Sequence, residues 1–246
     1  MIEQTPNYKR EALILAGGLG TRLKSAVPDK PKCLAPVAGQ PFLDFVVDHA
    51  INNGVEHIVF CLGYMASLIE SHVQERYSGH VAITIVLEEG ALGTGGAIKN
   101  GATYIKGDRF IALNGDSLFA IAYDDLEMSD VDQNLIANIG LKPMVNFERY
   151  GTVILDDKGI IQSFLEKQAM ESGLINGGTY LINKEKFLNL ELPEKFSMEK
   201  DVLEVYSSQN QIGGVISDAY FIDIGIPEDF ERASLDLANH TLIFQK

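Results

Sequence analysis

The 246-residue chain has no tryptophan and two cysteines, Cys33 and Cys61. Neither cysteine has a Cys-x-x-Cys neighbour, which excludes a zinc knuckle or a dithiol redox motif and leaves two free thiols, as expected in a reducing compartment. No apolar run approaches the roughly 20 residues that a membrane-spanning helix needs. The opening stretch Met1-Ile2-Glu3-Gln4-Thr5-Pro6 is polar and lacks a signal-peptide pattern, so a cytoplasmic location is the expectation. Cations are scarce: 20 Lys and Arg stand against 34 Asp and Glu, a net charge of −14, which argues against general binding to nucleic acid or an anionic membrane. The five histidines are scattered, and no Ser-His-Asp or Cys-His nucleophile arrangement stands out. There is no linker, low-complexity tract or internal repeat, and in particular no hexapeptide repeat of the β-helix kind.

What is present is ordinary globular composition, 46% hydrophobic and 22% charged, long enough for one α/β domain with a sizeable core. In the first half, short apolar runs alternate with helical periodicity. Strands are predicted over 12–16, 57–62, 82–86 and 110–113, and helices over 42–53, 65–77 and 95–104. That rhythm predicts a mixed, mostly parallel sheet flanked by helices, Rossmann-like in layout. The second half is less regular, with strands over 134–141, 150–155, 160–166, 178–182 and 220–224 and helices over 184–188 and 227–239. One domain over 1–246 is expected, with a nucleotide-binding part at about 10–133, a small inserted lobe at about 134–190, and a C-terminal strand and helix at about 215–240.

One segment carries chemistry by itself. The apolar strand over 12–15 opens into Leu15-Ala16-Gly17-Gly18-Leu19-Gly20-Thr21-Arg22-Leu23, with Lys30-Pro31-Lys32 shortly after. Glycines let backbone N–H groups approach an anion, and Arg22, Lys24, Lys30 and Lys32, with only Asp29 between them, form a cationic island in an acidic chain. A polyphosphate ligand follows, and the general motifs for one fail. A P-loop needs Gly-Lys-Ser/Thr where Gly20-Thr21-Arg22 stands, and a dinucleotide fingerprint needs glycine where Leu23 stands.

With its downstream motifs, the loop resembles the signature of the sugar-1-phosphate nucleotidyltransferases. Leu92-Gly93-Thr94-Gly95-Gly96-Ala97 is similar to that family's nucleoside-binding turn, and Asn114-Gly115-Asp116 to its strand-end metal motif. Phe164-Leu165-Glu166-Lys167 and Asn176-Gly177-Gly178-Thr179-Tyr180 are similar to its sugar-phosphate segments, and Asp223-Ile224-Gly225 to its second metal aspartate. The motifs occur in family order from about 13 to 230. The resemblance implies the nucleotide-diphospho-sugar transferase type of α/β fold, with the inserted lobe binding sugar. It also implies attack of a sugar 1-phosphate oxygen on the α-phosphorus of a nucleoside triphosphate, with loss of pyrophosphate. Such a step needs alignment and charge neutralisation more than covalent help. On that basis Arg22 would hold the β- and γ-phosphates, Lys32 would reach the α-phosphate, and Asp116 would join them as the third catalytic group. The nucleotide would lie against Leu15, Ala16, Gly17, Gly18, Gly20, Thr21, Glu88, Gly93, Thr94 and Gly115. The sugar phosphate would meet Gly151, Glu166, Lys167, Asn176 and Gly177, and Asp116 with Asp223 would hold Mg²⁺.

Glu88 bears on the base. A carboxylate accepts two adjacent donors, as guanine presents, where a glutamine would both donate and accept. That tilts the expectation to GTP, although a carboxylate also accepts uracil's single N–H and Glu89 is an alternative reader. Within the family the pattern is most similar to the guanylyltransferases of D-glycero-D-manno-heptose 1-phosphate, with mannose-1-phosphate guanylyltransferases and amino-sugar-1-phosphate uridylyltransferases as competitors. A glycosyltransferase of similar fold would need a DxD pair, which Asn114-Gly115-Asp116 is not. A non-catalytic relative is expected to have lost one of Arg22, Lys32, Asp116, Lys167 or Asp223, and all five are present. The expected partners are therefore an NTP and a sugar 1-phosphate, neither nucleic acid nor membrane, with homo-oligomerisation left open.

Overall fold

Alternating burial within the strands decides the layers. In β1 (Glu11–Leu15), Ala12 and Ile14 join the apolar cluster on one face of a sheet and Leu13 joins the cluster on the other. In β4 (His57–Leu62), Ile58, Phe60 and Leu62 divide in the same way from Val59 and Cys61. Strands apolar on both sides belong in the middle of a sandwich of helices, and parallel strands are the ones covered like this. The computed structural model describes residues 8–18, 29–129 and 135–238.

After β1 come the short strands β2 (Pro36–Val37) and β3 (Gln40–Pro41), then α1 (Phe42–Asn52), β4, α2 (Ala66–Tyr77), β5 (Ala82–Leu87), α3 (Gly93–Ala102), β6 (Arg109–Asn114), β7 (Ser117–Phe119) and α4 (Tyr123–Met128). The second half holds β8 (Ala137–Phe147), β9 (Thr152–Leu155), β10 (Ile161–Leu165), β11 (Met170–Asn183), α5 (Lys184–Leu188), a π-helical turn at Met198–Leu203, α6 (Glu204–Ser207), β12 (Ile212–Ile216), β13 (Phe221–Asp223) and α7 (Pro227–Asp236). Among the described residues, the main sheet has nine strands and runs β10-β9-β11-β6-β1-β4-β5, with β8 paired to β11 and β12 to β8. β5, β4, β1 and β6 are parallel, and β11 enters antiparallel beside β6. The mixed, mostly parallel sheet flanked by helices is thus the observed architecture.

Helices α1 and α2 cover one face, burying Phe42, Phe45, Ile69 and Val73, and α7 adds Ala233 there. Helices α3 and α5 and the π-helical turn cover the other, burying Ala97, Ile98, Phe187 and Met198. Among the described residues no helix is long and apolar enough to cross a membrane.

Several elements depart from the sequence reading. The strand expected over 178–182 is the end of a 14-residue strand, Met170–Asn183, which pairs with β6 at its C-terminal half and with β9 at Leu174 and Ile175. Its register against β8 shifts between Asn176 and Tyr180, around Gly177-Gly178. The strand expected over 220–224 is shorter and leaves the main sheet, pairing with β7 as a separate two-stranded ribbon. Strands β7 and β12, helix α4 and the π-helical turn had no counterpart in the sequence reading.

Candidate active site

The chain leaves β1 toward β4 on one side and returns from β5 to β6 on the other. That makes β1 and β6 the neighbours at which the winding reverses, the place where open α/β sheets leave a crevice beyond their strand ends. Among the described residues, four strand ends empty into it: Gly17 and Gly18 after β1, Gly63 and Tyr64 after β4, Glu88 after β5, and Asn114 at the end of β6 with Gly115-Asp116 after it.

Backbone seams fix this floor. Ala16 N–H donates to Cys61 O at 2.9 Å, Gly115 N–H to Leu15 O at 2.8 Å, Glu88 N–H to Leu62 O at 2.8 Å, and Tyr64 N–H to Gly17 O at 3.2 Å. Gly17 has no room for a side chain, since a Cβ there would lie 2.8 Å from Glu88 Oε1 and 3.0 Å from Gly63 N. The close approach is what brings the Glu88 carboxylate over the glycine loop. Burial pushes that carboxyl above the usual range, against the opposing pull of the Leu92 N–H.

Above the floor lies a cavity of about 680 Å³, lined by Leu15, Gly17, Gly18, Tyr64, Glu88, Gly93, Thr94, Ala97, Asn114 and Asp116 among others. A second cavity of about 210 Å³ adjoins it at Asn114 and is lined by Ser117, Arg149, Tyr150, Gly151, Lys167, Asn176, Gly177, Glu199 and Asp223. Among the described residues, Lys32 bridges the junction. Lys32 Nζ is 2.7 Å from Asp116 Oδ2, which lines the first cavity, and 3.6 Å from Asp223 Oδ1, which lines the second.

The local sequence explains that position. Cys33 and Leu34 bury themselves in a single 3₁₀ turn closed by Leu34 N–H to Pro31 O at 2.9 Å, leaving the Lys32 stem to run through the site at 12% exposure. Pairing of Asp223 with Ser117, and the Ile224 N–H bond to Asp116 O at 3.1 Å, sets the two aspartates side by side. Burial pushes the Asp223 carboxyl up, and Asp116 adds to it. Lys32, the Gly225 N–H at 2.7 Å and Arg149 act in the other direction. Two adjoining carboxylates, one of them short of compensating charge, are a donor set suited to a hard divalent cation that completes its shell with phosphate oxygens and water.

A family model described as nucleotidyl transferase matches residues 11–240. The chain belongs to the nucleotidyl transferase family. It is 41% identical over 230 residues, covering 94% of this chain and 99% of the relative, to a D-glycero-alpha-D-manno-heptose 1-phosphate guanylyltransferase of Aneurinibacillus thermoaerophilus. It is 40% identical over 220 residues, covering 89% and 96%, to the enzyme of the same name from Campylobacter jejuni. Among solved structures, HddC from Yersinia pseudotuberculosis complexed with GMP-PN superposes with a TM-score of 0.82 at 35% identity, covering 93% of this chain and 99% of that one.

In this nucleotidyltransferase most of the expected residues line one of the two cavities. Leu15, Gly17, Gly18, Glu88, Gly93, Thr94 and Asp116 line the larger cavity, and Gly151, Lys167, Asn176, Gly177 and Asp223 line the smaller. Ala16 and Gly115 sit in the floor with their N–H groups bonded to neighbouring strands, and Glu166 is exposed outside the lining of both cavities. Lys32 is engaged by the aspartates. Gly20, Thr21 and Arg22 lie outside the described residues. Two further groups went unread in the sequence. Arg149 donates to Tyr150 Oη at 3.0 Å and pairs with Asp229 on α7, and Glu199 reaches the smaller cavity from the π-helical turn. Arg149 adjoins the Gly151 position, so only its place beside that glycine marked it.

Proposed function

We propose that this nucleotidyltransferase transfers a guanylyl group from GTP to D-glycero-alpha-D-manno-heptose 1-phosphate. A non-bridging oxygen of the sugar phosphate forms the new bond to the α-phosphorus, the bond from that phosphorus to the β-phosphate oxygen breaks, and pyrophosphate leaves. The observation that carries this reading is Lys32 at the junction, ion-paired with one aspartate from each of two adjoining cavities. A two-anion reaction needs such a seam, because the reacting centre must lie between the substrates and be positively compensated.

The chain's own groups divide the work. Glu88, held over Gly17, would accept the ring N–H and exocyclic amine of guanine. Lys167 and Arg149 at the smaller cavity are the cations available to the sugar's phosphate. Asp116 and Asp223 would hold Mg²⁺, which when bound neutralises charge on the phosphate oxygens. Lys32 would then exchange part of its aspartate contact for the α-phosphate. Arg22 keeps the role that the family resemblance implies for it, on the β- and γ-phosphates.

A pyrophosphate-release assay crossing four nucleoside triphosphates with heptose, mannose and amino-sugar 1-phosphates, with and without Mg²⁺, tests the proposal. The expected result is Mg²⁺-dependent release for GTP with the heptose phosphate. Faster release with UTP, or with mannose 1-phosphate, would reassign the base or the sugar.

A further inference from the structure

Helical turns of the π type are uncommon and are frequently found at functional sites. The one at Met198–Leu203 presents Glu199 in an unusual setting. Its Oε2 accepts from Thr94 Oγ at 2.8 Å and from Ser197 Oγ at 2.9 Å, and Thr94 Oγ in turn accepts the Met198 N–H at 2.9 Å. Oε1 takes no hydrogen bond among the described residues. Thr94 lines the larger cavity and Glu199 the smaller, so this short chain of bonds spans the two half-sites.

A purely structural tie does not need the charge. A glutamine oxygen would accept the same two hydroxyl protons, without leaving an ionised oxygen at a partly buried cavity wall. The charge therefore has an occupant to meet. That occupant is not a phosphate, which a carboxylate repels, and the cations Lys167 and Arg149 are what suits the phosphate end. It is a neutral hydroxyl donor, and a sugar ring supplies several.

Taking the sugar 1-phosphate reading above as its basis, we infer that Glu199 is a sugar-positioning residue. Its free oxygen accepts one ring hydroxyl, and its bond to Thr94 couples occupation of the sugar cavity to the turn that lines the nucleotide cavity. A hydrogen bond to an ionised acceptor that is lost on substitution corresponds to about a 10–100-fold effect. Coupling through Thr94 makes the effect reciprocal between the two ligands.

The test uses the full chain, the sugar 1-phosphate it turns over, and that sugar's monodeoxy analogues. In the wild-type protein one deoxy analogue should lose about 10-fold or more in kcat/KM. Glu199→Gln should raise KM for the parent sugar phosphate by about 10-fold or more with a smaller change in kcat, and should lose nothing further on that same analogue. Its affinity for a non-hydrolysable GTP analogue without sugar should stay within about two-fold of wild type, which also reports that it is folded. Thr94→Val should remove the effect of saturating sugar phosphate on that nucleotide affinity. Wild-type indifference to every deoxy analogue, or an unchanged sugar KM in Glu199→Gln, overturns the assignment while the transferase reading stands. Absence of pyrophosphate release by the wild-type protein with every sugar phosphate removes the transferase reading, and this assignment with it.

Discussion

Lys32 shows how a single residue can join two half-sites. Its ammonium is shared by Asp116 and Asp223, yet burial and Asp116 still push the Asp223 carboxyl up. An acid whose folded pKa lies above its unfolded one gives stability that is complete below the ordinary carboxylate range and is lost as pH rises through the raised value. At neutral pH Asp223 is therefore a cost to folding. Asp223→Asn should leave the melting temperature at pH 7 at or above wild type, because an amide oxygen still accepts the Gly225 N–H and Lys32 keeps Asp116. Pyrophosphate release should fall on the order of 100-fold. Thermal melts beside the release assay decide it: a lower melting temperature with retained turnover would make Asp223 a turn-capping residue instead. Glu88 allows a second residue-scale expectation. An amide in its place would set an NH₂ against one of guanine's two donors, so Glu88→Gln should lower kcat/KM for GTP by about 10–100-fold. UTP, with one ring N–H to satisfy, should lose less. Equal losses for both nucleotides in a competition assay would move base reading elsewhere, with Glu89 next to be tried.

At the scale of elements, the glycines of Leu92-Gly93-Thr94-Gly95-Gly96-Ala97 serve packing as much as binding. Gly95 and Gly96 N–H groups both donate to Phe196 O, and a Cβ on Gly96 would fall 2.4 Å from Glu194 O. A backbone oxygen cannot swing aside as a side-chain tip can, so the segment that leads into the π-helical turn would have to move. Gly96→Ala should destabilise the fold by about 1–3 kcal/mol in urea unfolding. Because Glu199 follows that segment, KM for the sugar phosphate should rise with it, and stability within 0.5 kcal/mol of wild type would refute the packing account. The same elements show what could be read from the chain. Parallel strands and their helices announce themselves by local periodicity, so β1, α1, β4, α2 and β6 lie within a few residues of expectation. Asp116, Asp223 and Lys167 were legible because short motifs surround them in sequence, although their partners in space, Lys32 for both aspartates, are far away along the chain. Arg149 and Glu199 were not, since one is placed by an ion pair to α7 and the other by a π-turn packed on α3. Strand β7, three residues long, has too little length for a pattern, and the pairing of β13 with it, outside the main sheet, is decided only when the fold brings the two together.

Across the whole molecule, a few polar links fasten the helices to the chain they pack against, and one of them makes the stability of the fold depend on pH. His49 on α1 bonds Ile121 O at 3.0 Å, and Asn53 at the end of that helix accepts the Tyr123 N–H at 3.1 Å. Together they fasten α1 to the chain that continues from β7 into α4. Burial pulls the His49 imidazole from 6.5 down to about 4, against the smaller upward effect of the Ile121 carbonyl. The folded protein therefore refuses a proton that the unfolded chain takes up, and stability is lost as pH falls from about 6.5 toward 4. Between pH 7 and 4.5 this single group should withdraw about 2–3 kcal/mol. The buried Glu11 does not compete in that window. Burial raises its carboxyl, but the bonds from His57, Gly107 and Lys106 outweigh that and leave it lowered, so its contribution persists until more acid pH. Carboxylates elsewhere also titrate, so the measurement is a comparison. In His49→Gln the side-chain amide can still donate to Ile121 O but has no proton to gain. Urea unfolding at pH 7 and 4.5 should show the variant losing about 2–3 kcal/mol less than wild type over that interval. Equal losses would mean that His49 is protonated in the folded state and that α1 is held to the α4 approach by something other than a neutral imidazole.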